Sequence, residues 1–191
     1  MGARHAGVSR DRRRAGRLSL RVAAVAVAGG LALAGCGRAP STAAQVGGTT
    51  IGNDQVDTTV AGAAQALGAR TDEINERAVL ASLIQGAVVD EMVEQAETSG
   101  RTDLTIAPAD REAVLQSQPQ LQALQEVPEA APLAESLVDF TILQQRMGSE
   151  AFQQAFLAVP VEVNPRWGSW QPGSQEGLIG TGSLSVESYT A

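Results

Sequence analysis

The only cysteine of this chain, Cys36, closes a leading segment whose composition differs from that of everything after it. Up to Arg21 this segment carries seven arginines against a single acidic residue, Asp11, and residues 22–35 then form a short apolar run. The apolar run of fourteen residues rises only about 21 Å as a helix, well short of the roughly 30 Å hydrocarbon core of a bilayer. This order of basic, apolar and small residues is typical of a secretory signal that is removed, so the folding chain begins near Cys36 and has no second cysteine for a disulfide.

The four residues Leu33, Ala34, Gly35 and Cys36 resemble the lipobox of bacterial lipoproteins. The resemblance implies cleavage between Gly35 and Cys36 after a diacylglycerol is attached to the Cys36 sulfur. Two acyl chains anchor a protein stably, since each buried methylene is worth about 0.8 kcal/mol and a single chain is marginal. We therefore expect a lipid-anchored protein at the extracytoplasmic face of the cell membrane. The alternative is a plain secretory signal with an accidental cysteine, cleaved near Leu33 and Ala34.

Cleavage before Cys36 leaves 156 residues, the size of one domain with its own hydrophobic core. These residues carry seven arginines, no lysine and twenty acidic residues, which gives a formal charge of −13. Such a charge disfavours nucleic acid as a partner and disfavours lying flat on an anionic membrane. We predict a signal peptide at 1–35, a flexible tether at 36–43, a helical domain at 44–170 and a loosely ordered tail at 171–191.

Most residue types that support catalysis are missing after the signal. The single histidine is His5, inside the leading segment, and the single cysteine is the expected site of acylation. Serine–histidine, cysteine–histidine and serine–lysine catalysis, and metal sites built from imidazole or thiolate, are therefore excluded within this chain. The pair Gly47 and Gly48 precedes threonines and no lysine, so it does not form a phosphate-binding loop. We expect no enzyme activity, no cofactor and no metal.

Carboxylates are the remaining candidates for chemistry. Asp90, Glu91 and Glu94 would serve acid–base catalysis or bind a hard cation if they converged on one point. No aspartate-rich calcium loop accompanies them, and on a helix they lie beside one another. We interpret them as an ordinary solvated face.

The pattern after the tether begins with a hairpin and two helices. Two glycines between β-forming residues predict a two-residue turn within 46–51, with positive φ at both glycines. Asn53 is the predicted N-cap of a first helix that ends at Gly68. Thr71 is the predicted N-cap of the longest helix, which continues without proline to Gly100.

Prolines then divide the second half into shorter elements. A third helix is predicted from Pro108 to Leu115 and is closed by Pro119. A fourth covers 133–147 and ends at Gly148, and a fifth is capped by Ser149 and stops at Pro160. The alternation at 161–163 predicts a strand that pairs with the hairpin, because an isolated hairpin is marginal in water. The predicted fold is mainly α, with about five helices and a small β element that joins the two ends.

Two short motifs resemble those of known chaperone domains. Val46, Gly48 and Ile51 match the V-N-G-x-x-I opening of the SurA/PrsA/trigger-factor family, with Gly47 where that family commonly has asparagine. The closing stretch V-E-V-N-P-R-W-G at 161–168 resembles the ending of actinobacterial lipoproteins with a SurA N-terminal-like domain and is the more specific match. Between these motifs the likeness is only a series of helices.

The resemblance implies a helical peptide-binding domain that acts on unfolded or secreted polypeptides near the membrane. Met92 and Met147 are candidate adaptable contacts, and Trp167 and Trp170 are a candidate recognition patch. The competing interpretation places all of these residues in the core, with Trp167 locking the terminal strand against the hairpin.

The isomerase domain of larger family members, with its usual active-site histidines, has no counterpart here. The leading hypothesis is therefore a membrane-tethered holding chaperone without prolyl isomerase activity. A structural or adaptor lipoprotein with one fixed envelope partner is the alternative, and an enzyme built from carboxylates ranks third.

Overall fold

The computed structural model describes residues 41–174 and 177–180, of which 64% are helical. The mainly α fold class predicted from the sequence is confirmed. In this part of the chain the helices are α1 (Asn53–Leu67), α2 (Glu76–Thr98), α3 (Pro108–Ser117), α4 (Pro119–Gln125), α5 (Ala131–Met147) and α6 (Ser149–Ala158). The strands are β1 (Thr42–Val46), β2 (Thr49–Gly52), β3 (Val161–Val163), β4 (Ser169–Trp170) and β5 (Leu178–Ile179).

The first sheet joins the two ends of the described chain. Its order is β2-β1-β3, and both pairings are antiparallel. Ala44 lies opposite Val163, and Val46 lies opposite Val161. The predicted pairing of the terminal strand with the hairpin is therefore confirmed, and it occurs on the free side of β1.

The hairpin turn needs only one of its two glycines in the left-handed region. Gly47 has φ +51°, whereas Gly48 is not among the glycines with positive φ. The expectation of positive φ at both positions is therefore wrong. A positive φ at the first central residue alone is the requirement of a II′ hairpin turn, which matches the twist of the flanking strands as well as a I′ turn does.

Asn53 has a different role from the predicted N-cap. Gly52 is the N-cap of α1, and Asn53 is the first helical residue. The Asn53 Oδ1 atom instead accepts a hydrogen bond of 3.0 Å from the indole Nε1 of Trp167. Both residues are buried, so this bond satisfies an indole donor that would otherwise be costly inside the protein.

The turn after β3 contributes further bonds to the same junction. The Asn164 backbone N–H donates to the Ala43 carbonyl at 2.8 Å, and its side-chain amide donates to the Thr42 carbonyl at 2.9 Å. Its Oδ1 accepts from the Arg166 N–H at 3.2 Å, which starts the short 3-10 turn Pro165–Trp167. The guanidinium of Arg166 lies 5.3 Å from the centre of the Trp167 ring.

Several helix starts differ from the expected positions. Thr71 opens only a 3-10 turn, and Asn75 caps α2 by accepting from the N–H groups of Arg77 and Ala78. Pro119 does not simply close a helix, since it is also the first residue of the additional helix α4. Proline suits this position because its missing N–H would have no partner in the first turn. Ser149 is the first residue of α6 rather than its cap, which is Gly148.

Ordered strands extend beyond both expected boundaries of the helical domain. β1 begins at Thr42, two residues before the predicted start of the domain at residue 44. β5 lies within the predicted loosely ordered tail and pairs with β4, with Trp170 opposite Leu178. Leu178 is buried, which explains why this short strand is held against the helices.

The core surrounds α2, the longest helix, which packs on α1, α5 and the β1–β2 hairpin. Its buried side chains include Leu80, Ile84 and Val88, each at most 1% exposed. Gly86 is a point of close approach between α2 and α5. A β-carbon at Gly86 would lie 2.9 Å from the Ser136 Cα and 2.6 Å from its Cβ, distances that real β-carbons do not adopt.

We predict that Gly86→Ala lowers the free energy of unfolding. Overpacking against the α5 backbone costs about 1–3 kcal/mol, whereas alanine gains only about 1 kcal/mol over glycine in a helix. The matched control is Gly48→Ala, where an added β-carbon meets nothing within 4 Å. Urea unfolding should separate the two variants, and an unchanged or raised stability of Gly86→Ala would show that the helices are not in close contact there.

Candidate functional site

An aromatic cluster occupies the side of the molecule where α5, α6 and β4 meet. The chain has three phenylalanines, and all of them lie here. The Phe140 ring lies edge-on to Phe152 and Phe156, with centroid distances of 5.0 and 5.8 Å. Phe156 is also 6.3 Å from the ring of Trp170. Such edge-to-face contacts stabilise aromatic pairs beyond the apolar area that they bury.

The cluster forms the floor of an open pocket of about 290 Å³. Its apolar lining is Phe140, Phe152, Phe156, Leu157, Trp170 and Pro172. Its polar lining is Gln85, Gln144, Gln153, Ser149 and Ser174, and Gly173 and Gly177 complete it. None of the described residues that line this pocket is charged. The volume is at the lower end of the range for ligand sites, which suits a single large side chain better than a long apolar ligand.

Leu157 gives the pocket an accessible apolar rim. Its side chain follows the buried Phe156 on α6 and is 53% exposed. Helical spacing places Phe152 and Phe156 one turn apart on the buried face, so the next residue points away from the core. The accessible apolar surface of α6 therefore borders the pocket.

The four residues proposed from the sequence as peptide contacts have separate locations. Met92 is a core residue of α2 with 5% exposure, and Met147 is half-buried at the end of α5. Trp167 is 7% exposed and donates to Asn53. Trp170 alone of the four lines the aromatic pocket. The candidate lipidation site Cys36 and the lipobox residues Leu33, Ala34 and Gly35 lie outside the described residues.

Phe152 and Phe156 lie at helical spacing in the sequence, as the residues of any buried helix face do. A stripe of apolar residues at helical spacing predicts a buried face, but it does not show which of these residues remain accessible to solvent. The sequence signal for this site was Trp170, which was a candidate recognition residue because aromatic side chains are favoured at interfaces. The strand β5, which holds Trp170 in place, was not predicted.

A second depression of about 210 Å³ between α2 and α5 is polar and charged. The Arg111 guanidinium donates two hydrogen bonds to the Asp139 carboxylate, at 2.7 and 2.6 Å. Asp139 is 5% exposed, so this paired geometry compensates for removing its charge from water. Asp90 and Glu135 line the same depression.

Asp90 is exposed like Glu94, but its pKa is shifted by the surroundings that it meets in this depression. Partial desolvation raises the pKa of Asp90, the nearby carboxylates of Asp139 and Glu135 raise it further, and Arg111 opposes them. Glu94 is exposed, and Glu91 accepts a hydrogen bond from Gln95 at 2.8 Å. Within the described residues no group of three or more acidic, histidine or cysteine side chains is arranged to hold a metal.

Comparison with models of known protein families, with curated proteins and with solved structures finds no match to this chain. No helix in the described part of the chain combines the length and the apolar character needed to cross a bilayer.

We predict that Asp90→Asn stabilises the protein at pH 7. A folded-state pKa above the unfolded value means that the folded protein binds more protons, so stability falls as the pH rises through that interval. Asparagine removes this penalty, and the gain should disappear below about pH 3, where the carboxyl is protonated in both states.

The control for this prediction is Glu94→Gln, which removes one negative charge from an exposed position of the same helix. Thermal unfolding at pH 7 and near pH 3 should show a pH-dependent gain for Asp90→Asn that exceeds the gain of the control. Equal gains for the two variants would mean that only the net charge matters.

Proposed function

We propose that this protein is a membrane-tethered, chaperone-like binding protein that holds unfolded or secreted polypeptides without catalysing a reaction. The observation that carries the proposal is the aromatic pocket with the exposed Leu157 at its rim. An accessible apolar site on an otherwise charged protein is a common mark of an interaction surface.

The chemistry of the pocket suits a polypeptide of variable sequence. The aromatic floor supports burial of a large apolar side chain, which contributes about 1.5–3 kcal/mol when burial is complete. Gln85, Gln144 and Gln153 line the pocket with amide groups, which donate to backbone carbonyls and accept from backbone N–H groups. Backbone recognition does not depend on the identity of the bound side chains.

The described lining, which carries no charged side chain, supports the same proposal. A charged side chain that enters the pocket loses hydration and meets no opposite charge among these described residues. Apolar segments, which unfolded proteins expose and folded proteins bury, therefore bind in preference to ordinary folded surfaces.

The proposed tether follows from the lipobox-like sequence and its distance from the domain. Five residues separate Cys36 from Thr42, the first residue of β1. A segment of this length spans at most about 20 Å, so acylation of Cys36 would keep the pocket close to the membrane surface. The charge of −13 on residues 36–191 would hold the domain away from anionic headgroups.

We predict that Leu157→Glu weakens suppression of client aggregation about tenfold or more. The carboxylate removes apolar contact area and would be desolvated by a bound segment. The assay uses light scattering with several unrelated unfolded proteins as clients, and calorimetric melting verifies that each variant is folded.

The matched control is Leu67→Glu, because Leu67 is a helical leucine of similar exposure, 47%, that does not line the pocket. This variant should act like the unmodified protein. If the unmodified protein suppresses no aggregation and copurifies with one stoichiometric partner, it is an adaptor and the proposal fails. Full activity of Leu157→Glu would also contradict the proposed site.

A further inference from the structure

The aromatic pocket continues along α2 into a third depression, distinct from the charged one between α2 and α5. Gln85 lines both, and the consecutive residues Gly177 and Leu178 line one depression each. A β-carbon at Gly177 would lie 3.2 Å from Trp170 and 3.3 Å from Ala81, so this glycine is in contact with both sides. Because Gly177 has no side chain, little protein separates the two depressions at this point.

This third depression has a volume of about 730 Å³ and lies along the first turns of α2. Its lining is Asn75, Glu76, Arg77, Ala78, Ala81, Ser82, Gln85 and Leu178. The N–H groups of Arg77 and Ala78 already donate to the Asn75 side chain, at 3.0 and 3.2 Å. These two N–H groups are therefore not available to a ligand. The charged side chains that line the depression determine which ligands it attracts.

Arg77 is the cation in this depression. Four other arginines of the described chain hold ion pairs with carboxylates, and Arg166 lies over the Trp167 ring. Among residues 41–174 and 177–180, Arg77 forms no ion pair, although Glu76 lines the same depression. Its guanidinium offers a planar set of donors that matches a carboxylate.

The distance along α2 sets a spacing for a ligand that uses both depressions. Gln85 lies eight positions after Arg77, which corresponds to about 12 Å of helix. An extended peptide rises about 3.3 Å per residue, so three or four peptide residues cover this distance.

We propose that the groove binds an extended polypeptide segment that places a large apolar side chain in the aromatic pocket and a carboxylate, three or four residues away, on Arg77. This inference rests on the proposed function and specifies the spacing between the apolar side chain and the carboxylate of the bound segment. The carboxylate is proposed because its negative charge complements the positive charge of the Arg77 guanidinium. The acidic surface elsewhere does not oppose it strongly, because charges beyond about 8–10 Å are screened at physiological ionic strength. An acidic side chain and a free C-terminal carboxylate both satisfy the chemistry.

The test measures peptide binding to the domain by NMR titration. The reference peptide is acetyl-Gly-Ser-Phe-Ser-Gly-Ser-Glu-Gly-amide, in which the carboxylate follows the phenylalanine by four residues. Three others replace the glutamate by glutamine, replace the phenylalanine by alanine, or end in a free carboxylate at the glutamate position. We expect the glutamate peptide to bind about two- to fivefold more tightly than the glutamine peptide, as for an ion pair at an exposed arginine.

Arg77→Gln should remove the preference for glutamate, and the control Arg101→Gln should keep it. Arg101 is an exposed arginine paired with Asp103 beyond the opposite end of α2. Binding that requires the phenylalanine but does not distinguish glutamate from glutamine would overturn this inference and leave the proposed function standing. Failure of the phenylalanine peptides to bind more tightly than the alanine peptide would overturn both. The free-carboxylate peptide shows whether chain ends or acidic side chains are preferred.

Discussion

Antiparallel pairing of β1 with β3 joins segments that lie about 120 residues apart in the sequence, and the rest of the fold depends on it. Closing a loop of that length costs roughly 4 kcal/mol of chain entropy. Three paired residues in each strand do not offset this cost by themselves, since a net backbone hydrogen bond contributes only about 1 kcal/mol. Burial of the Trp167 side chain stabilises the folded state by about 4–6 kcal/mol, before the entropy lost in ordering this side chain is subtracted. Its bond to Asn53 directs the indole to the start of α1.

The aromatic pocket follows from this closure. The helices α5 and α6 bring the three phenylalanine rings together, but Trp170 and the glycine-rich wall come from the chain that leaves the first sheet. Gly168 has φ +112°, and a β-carbon there would contact the Ile179 carbonyl, so only glycine permits β4 and β5 to approach at this point. The first sheet therefore positions one wall of a pocket whose floor belongs to the helices.

Patterns formed by residues close together in the sequence predicted much of the fold. The hairpin, the position of the longest helix and the helix ends at Gly68 and Gly148 follow from glycine placement and apolar spacing. The pairing of β3 with the hairpin followed from a physical need, because two strands alone are marginal. Helix starts were less predictable. Asn53 has the right chemistry for a cap, but its oxygen accepts from an indole more than a hundred residues away.

The site was harder to predict because surface and core aromatics produce the same pattern. Phe152 and Phe156 have the spacing of an ordinary core pair. The neighbouring sequence does not show that these two side chains line a pocket that is open to solvent. Asp90 illustrates the same difficulty, since its perturbing neighbours Asp139 and Arg111 come from other helices. Side chains whose roles depend on contacts distant in sequence need the three-dimensional arrangement before those roles can be assigned.

Native-state hydrogen exchange tests the central claim most directly, namely that closure of the chain ends is part of the cooperative fold and builds the wall of the pocket. The amides of β1 should open with the same free energy as buried amides of α2 such as that of Val88, because the helices and the sheet unfold as one unit. Opening of β1 and β3 at a distinctly lower free energy, with α2 still protected, would contradict the account. The terminal strands would then be an accessory to a helical domain that is stable without them.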